Sequence, residues 1–210
     1  IAAKATKLLS PYVNGITFRY GIYIQDRYWG ERALIVHELV HTRVHDHSAR
    51  FWSELRIFPA ELEGSDFNRI SVRSYGGFPS EGASALGYTL LLGEGRERNW
   101  QLLDSAAAGT VTLDNAKVDR LANNLASLEG ADFADQIDAQ EAGLSEPAAE
   151  ILASTSDGRD FRLLVGLPAG EERYYGSLEG SRFVYELALF RLENLFKPLA
   201  ELRPDEQDEG

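Results

Sequence analysis

The chain has 210 residues, 44% of them hydrophobic and 26% charged, with a formal net charge of −12 and neither cysteine nor methionine. That composition suits a globular protein with one or two cored domains, and its excess of acid argues against nucleic acid and anionic lipid as partners, because phosphate binding needs clustered Lys and Arg. The missing thiols exclude disulfides and thiolate metal sites and leave the redox compartment open.

The opening stretch AAKATKLLSPYV has the spacing of a short helix, closed by Pro11 and Asn14-Gly15. GITFRYGIYIQ follows, rich in β-branched and aromatic residues, and reads as a strand or a tight hairpin edge. WGERALIVHELVHTRV then reads as a helix with Glu31 in its first turn and no breaker before the polar HDHS. SARFWSELRIF continues it, with Phe51, Leu55 and Phe58 at helical spacing, and Pro59 ends it. These residues, 1–58, are expected to form one unit.

A different rhythm occupies residues 61–203. FNRISVRSY, GYTLLLG and RNWQLLD read as strands. TLDNAKVDRLANNLASL reads as a helix capped by Thr112 or Asp114, with Val118, Leu121, Leu125 and Leu128 as its apolar face. After a polar stretch at 135–147, AAEILAST, DFRLLVG, ERYYGSL and SRFVYEL read as strands and ALFRLENLFKPLAEL as a closing helix. TLLLGEGRERNWQLL can be laid over RLLVGLPAGEERYYGSL, and VDRLANNLASL over LFRLENLFKPLAEL. The expectation is a duplicated β-β-β-α domain, about 61–134 and 140–203, before an acidic tail at 204–210. The fold class expected is therefore α+β: a short helix-strand-helix unit, then the repeat. No apolar run reaches the ~18 residues of a membrane span, and the start at Ile1 reads as a processed product or a piece of a longer polypeptide.

All four histidines, His37, His41, His45 and His47, lie within ALIVHELVHTRVHDH. On a helix, His37 and His41 share a face, with about 5–6 Å between Cβ atoms, and two such imidazoles can hold one Zn²⁺. Glu38 projects beside them, where it can take a proton from water and pass it to a leaving amine. This is the HExxH arrangement, here HELVH. A third ligand is needed. His47 can supply it if the helix breaks at HDH; Glu81, in GFPSEGASA, can supply a carboxylate; His45 ranks below His47. The other candidates are structural. Glu61 with Glu63, and Glu171 with Glu172, read as solvated faces, and Trp100, Tyr174 and Tyr175 read as core or sheet-face packing, with an aromatic binding surface as the alternative. No GxGxxG, Walker or GxSxG pattern occurs, and no serine has a histidine outside 37–47 to activate it.

At YVNGITFRYGIYIQDRYWGERALIVHELVHTR the chain resembles the core of small gluzincin-type zinc metallopeptidases, and HELVHTRVHDHSARFWSEL is similar to short predicted zinc metallopeptidases with HExxH, a third histidine, then Ser and a Phe-Trp pair. That resemblance implies zinc, with His37, His41 and His47 as ligands, Glu38 as general base and a peptide or protein as substrate. The gluzincin pattern would instead put a glutamate in third place, for which Glu81 is the candidate. RNWQLLD, TLDNAKVDRLANNLASLEGADF, GLSEP and RYYGSLEGSRFVYEL resemble a bacterial envelope domain of unknown function encoded beside gliding-type ABC transporters. That second resemblance implies a cell-envelope location and a binding or assembly role with a protein partner.

Overall fold

In the computed structural model the chain divides into two compact units, Ile1–Arg56 and Ile57–Gly210. The residues described are 2–6, 15–18, 21–25, 56–75, 78–79, 83–93, 99–103, 111–134, 137–181 and 183–205.

In the first unit, three strands are described: β1 (Ala2–Thr6), β2 (Gly15–Phe18) and β3 (Gly21–Gln25). β2 and β3 form an antiparallel hairpin, and β1 runs parallel to β3, so the order is β1-β3-β2. Ala2–Thr6 is thus a strand where the spacing of the opening segment suggested a helix. Five residues of weak amphipathic pattern have little helix nucleus of their own, and the register Ala2↔Gly21 to Thr6↔Gln25 gives their backbone groups partners in β3.

The second unit is built on one antiparallel sheet of eight strands: β4 (Phe67–Ser74), β5 (Leu86–Leu92), β6 (Trp100–Leu103), β7 (Asp132–Phe133), β8 (Ala149–Thr155), β9 (Asp160–Gly170), β10 (Arg173–Leu178) and β11 (Tyr185–Ala188). Their order is β6-β5-β4-β8-β9-β10-β11-β7. Among the described residues of this unit, helix is confined to α1 (Asn115–Ala126) and the five-residue α2 (Leu189–Glu193), with single 3₁₀ turns at Gly64–Asp66 and Leu199–Leu202.

This corrects the expected fold class. Among the described residues the chain is mainly β: Ala2–Thr6 is a strand where the first unit was expected to open with a helix, and the second unit is one sheet and not a duplicated β-β-β-α domain. Seven registers join β4 to β8, from Phe67↔Thr155 to Ser74↔Ala149, so the two halves that read as repeats fuse into one continuous sheet. The second half also departs from the first: it draws in β7 and β11, and its closing helix stops at Glu193, well before Pro198. Ile57 and Phe58, expected at the end of the N-terminal unit, are buried in this one, with Phe58 edge-on to Phe67 and Phe161.

Alternation explains the layers. Ile70 and Val72 on β4, Tyr88 and Leu90 on β5, Ile151 and Ala153 on β8, and Leu163 and Val165 on β9 share one buried face. The out-of-phase Phe67 is accommodated by a register shift between Phe67 and Arg69. α1 belongs to the same core through Val118, Leu121, Ala122 and Leu125, a helical stripe. Asp114 caps it, accepting from Ala116 N at 2.9 Å and Lys117 N at 3.2 Å. Trp100 is buried with its indole N–H donated to Asp119 Oδ1 at 2.9 Å, tying the edge strand β6 to α1. The other sheet face is mixed: Arg69, Ser71, Arg73, Glu150, Leu152, Ser154 and Arg162 alternate with the core residues.

Candidate functional site

The sequence-derived metal site, His37, Glu38, His41, His45 and His47, lies outside the described residues, as does Glu81. What is described next to it is the β2–β3 hairpin, which ends at Gln25, twelve positions before His37. β3 is paired on both sides, so the edges of this small sheet are β1 and β2. A strand offered to an extended peptide must have an unpaired edge, which β2 has among the described residues and β3 has not.

In the second unit the carboxylates read as solvated are so. Glu61, Glu63, Glu171 and Glu172 are exposed; Glu61 faces Arg159 at 3.5 Å, and Glu63 belongs to the turn closed by its N–H on Asp66 Oδ2 at 2.8 Å. Tyr174 is half-buried, edge-on to Phe78, with its hydroxyl donated to Pro79 O at 3.2 Å. Among the described residues no group of three or more His, Cys, Asp and Glu side chains is arranged to hold a metal ion.

Two polar constellations stand out that the sequence reading missed. The first is a charge ladder across the mixed face. Glu150, only 4% exposed, accepts from Arg162 Nε at 2.8 Å and Nη2 at 2.6 Å, while Arg162 Nη1 donates to Glu179 at 2.9 Å. Arg73 approaches Glu150 from β4 at 3.5 Å. The hydrogen bond to Glu150 holds the Arg162 guanidinium even more firmly protonated than usual. Every member of this ladder is engaged by another, so it offers no free acid or base. The second constellation is a groove of about 720 Å³ between α1 and the closing segment, floored by the buried Leu121 and Leu202 and rimmed by Lys117, Arg120, Lys197 and Arg203. The signal for it was faint: Lys117 and Arg120 are one helical turn apart on the outer side of α1, but their partners come from the far end of the chain.

The chain matches no protein-family model, no curated protein and no solved structure. Among the described residues no helix is long and apolar enough to cross a membrane.

Proposed function

We propose that this chain is a zinc-dependent peptide hydrolase whose chemistry resides in HELVH and whose eight-stranded sheet is a non-catalytic companion. The observation that carries this reading is the concentration of all four histidines between positions 37 and 47, two of them one helical turn apart around Glu38. The donor set suits zinc: imidazole nitrogens with a third imidazole or a carboxylate, and no thiolate anywhere in the chain. A zinc ion bound there would supply Lewis acidity to the scissile carbonyl and to the attacking water. His37, His41 and His47 would hold it, with Glu81 as the alternative third ligand. Glu38 would take the proton from the water and return it to the leaving amine. The edge of β2, unpaired among the described residues, supports extended binding of a peptide, by adding a strand.

Purified protein should carry near one zinc per chain, lost in His37→Ala. Glu38→Gln should keep the zinc and lose peptide hydrolysis. Zinc absent from the wild type, or hydrolysis indifferent to Glu38→Gln, would overturn the reading.

A second reading, a non-catalytic envelope or complex subunit, is favoured by the mixed sheet face. There Leu103, Thr89, Ser71 and Leu152 stand in one cross-strand row, with both leucines exposed. In that case HELVH is a structural or vestigial metal site, and zinc without Glu38-dependent hydrolysis is the expected result.

A further inference from the structure

We infer that the groove between α1 and residues 197–205 is a binding site for an organic anion carrying two or more carboxylate or phosphate groups. The inference is independent of the HELVH chemistry. Four cations line the groove, Lys117, Arg120, Lys197 and Arg203, against two carboxylates, Glu201 and Asp205, in a chain whose net charge is −12. A local reversal of sign within an acidic protein focuses potential for anions.

The pairing inside the groove is incomplete. Lys197 is matched by Glu201 at 3.0 Å. Lys117 is matched by Asp205 at 2.6 Å and also donates to the carbonyl of Arg203 at 2.8 Å. Arg120 and Arg203 are both exposed, and among the described residues their guanidinium groups face no carboxylate within ion-pair distance. Two planar forks on one rim suit two oxyanions, because a guanidinium can engage a carboxylate or phosphate through two N–H groups at once. The exposed Ala200 and Pro204, with the buried Leu121 and Leu202 beneath, give the groove apolar lining for the body of the ligand. The volume, about 720 Å³, is that of a small-molecule site.

Asp205 shows how the site takes a carboxylate. Its side chain is 93% exposed, yet it lies on Lys117, whose ammonium holds the Asp205 carboxyl below its ordinary range. It occupies one corner of the groove as a resident competitor, so its removal should tighten binding.

Isothermal titration at low ionic strength with benzene-1,3,5-tricarboxylate and with inorganic pyrophosphate tests this. At least one probe should saturate at one site per chain, and which one binds tells carboxylate from phosphate ligands. Arg120→Gln with Arg203→Gln should weaken it by about tenfold or more, since two charge-assisted contacts are lost. Asp205→Asn should tighten it several-fold more than Glu171→Gln, which makes the same charge change at an exposed turn. Arg69→Gln, on the mixed sheet face, should leave it unchanged. All these side chains are exposed, and unchanged thermal melts would show that folding is intact. Absence of saturable binding by both probes, equal weakening by Arg69→Gln, or an Asp205→Asn effect no larger than that of Glu171→Gln would each overturn the inference.

Discussion

Arg162 on β9 reaches diagonally to Glu150 on β8 and places two N–H groups, at 2.8 and 2.6 Å, on one buried carboxylate oxygen. The register sets this up: Arg162 is opposite Leu152, so Glu150 is its diagonal neighbour on the same face. Glu150 is 4% exposed and its remaining cation, Arg73, is 3.5 Å away. Arg162→Met therefore leaves a nearly buried charge with one long contact. It should cost about 2 kcal/mol in urea unfolding, the scale for leaving a buried polar group short of its partner. Combining it with Glu150→Gln should recover part of that loss. A double variant as unstable as the sum of the singles would show that the two side chains are not coupled.

The turn at Gly64–Asp66 and helix α1 meet backbone to backbone. A Cβ at Gly64 would lie 2.3 Å from Asn123 Oδ1, 2.5 Å from its N and 2.7 Å from its Cα. A helix backbone cannot step aside as a flexible side chain can, so Gly64→Ala must push the turn off α1. We expect a loss of about 3 kcal/mol, the upper range for overpacking. Gly87→Ala on β5 is the matched control, since nothing lies within 4 Å of its added Cβ, and it should change stability by less than ~0.5 kcal/mol. Equal melting of the two variants would contradict the close approach.

What the sequence disclosed was local. β4 and β8 were legible because apolar residues alternate with polar ones along Ile70, Val72 and Ile151, Ala153. α1 was legible because the cap Asp114 precedes a helical stripe at Val118, Leu121 and Leu125. Pairing was not legible. Nothing in FNRISVRSY or AAEILAST says that the two lie side by side at the centre of one sheet, and without that fact they read as the starts of separate modules. β7 has only two residues and exists because Ala131 N and Ala134 N donate to Glu186 O and Val184 O on a strand far along the chain. The closing segment kept the burial of a helix, at Leu192, Leu195, Phe196 and Leu202, while its α-helix ended at Glu193 and the chain resumed after Pro198 as a 3₁₀ turn. The HELVH pattern stands within five consecutive residues and needs no fold to be read, but it lies outside the described residues. The cationic groove was not legible, because Arg203 borders a tail whose overall charge is negative, and only the fold brings it to Arg120.

The cap of α1 can be weighed separately. Asp114 accepts from two N–H groups of the first helical turn, and its own N–H is donated to Leu202 O at 2.9 Å, so it fastens α1 to the closing segment as well. Asp114→Ala removes only the side-chain acceptor and should cost about 1 kcal/mol, while Asp114→Asn should lose less because the amide oxygen still caps. Identical losses for the two would mean that the side chain is not the acceptor.

Tyr88 ties alkaline stability to the same region. The residue is 9% exposed and its hydroxyl donates to Lys197 O at 2.8 Å. Burial, with the negative charge of Glu201 as a smaller contribution, pushes its pKa well above the ordinary phenol value of about 10. The folded chain therefore keeps a proton that the unfolded chain releases. The contribution to stability is complete below pH ~10 and is lost as the pH climbs from there toward the raised value, at up to ~1.4 kcal/mol per pH unit. Tyr185, also raised by burial, acts in the same direction. Tyr88→Phe keeps the ring and loses the hydrogen bond, so near pH 7 it should cost about 1 kcal/mol. Above pH 10 it should lose stability less steeply than the wild type, and the two curves should converge. Denaturant melts at steps from pH 7 to 11 measure both slopes, and parallel curves would show that the Tyr88 hydroxyl does not titrate with unfolding.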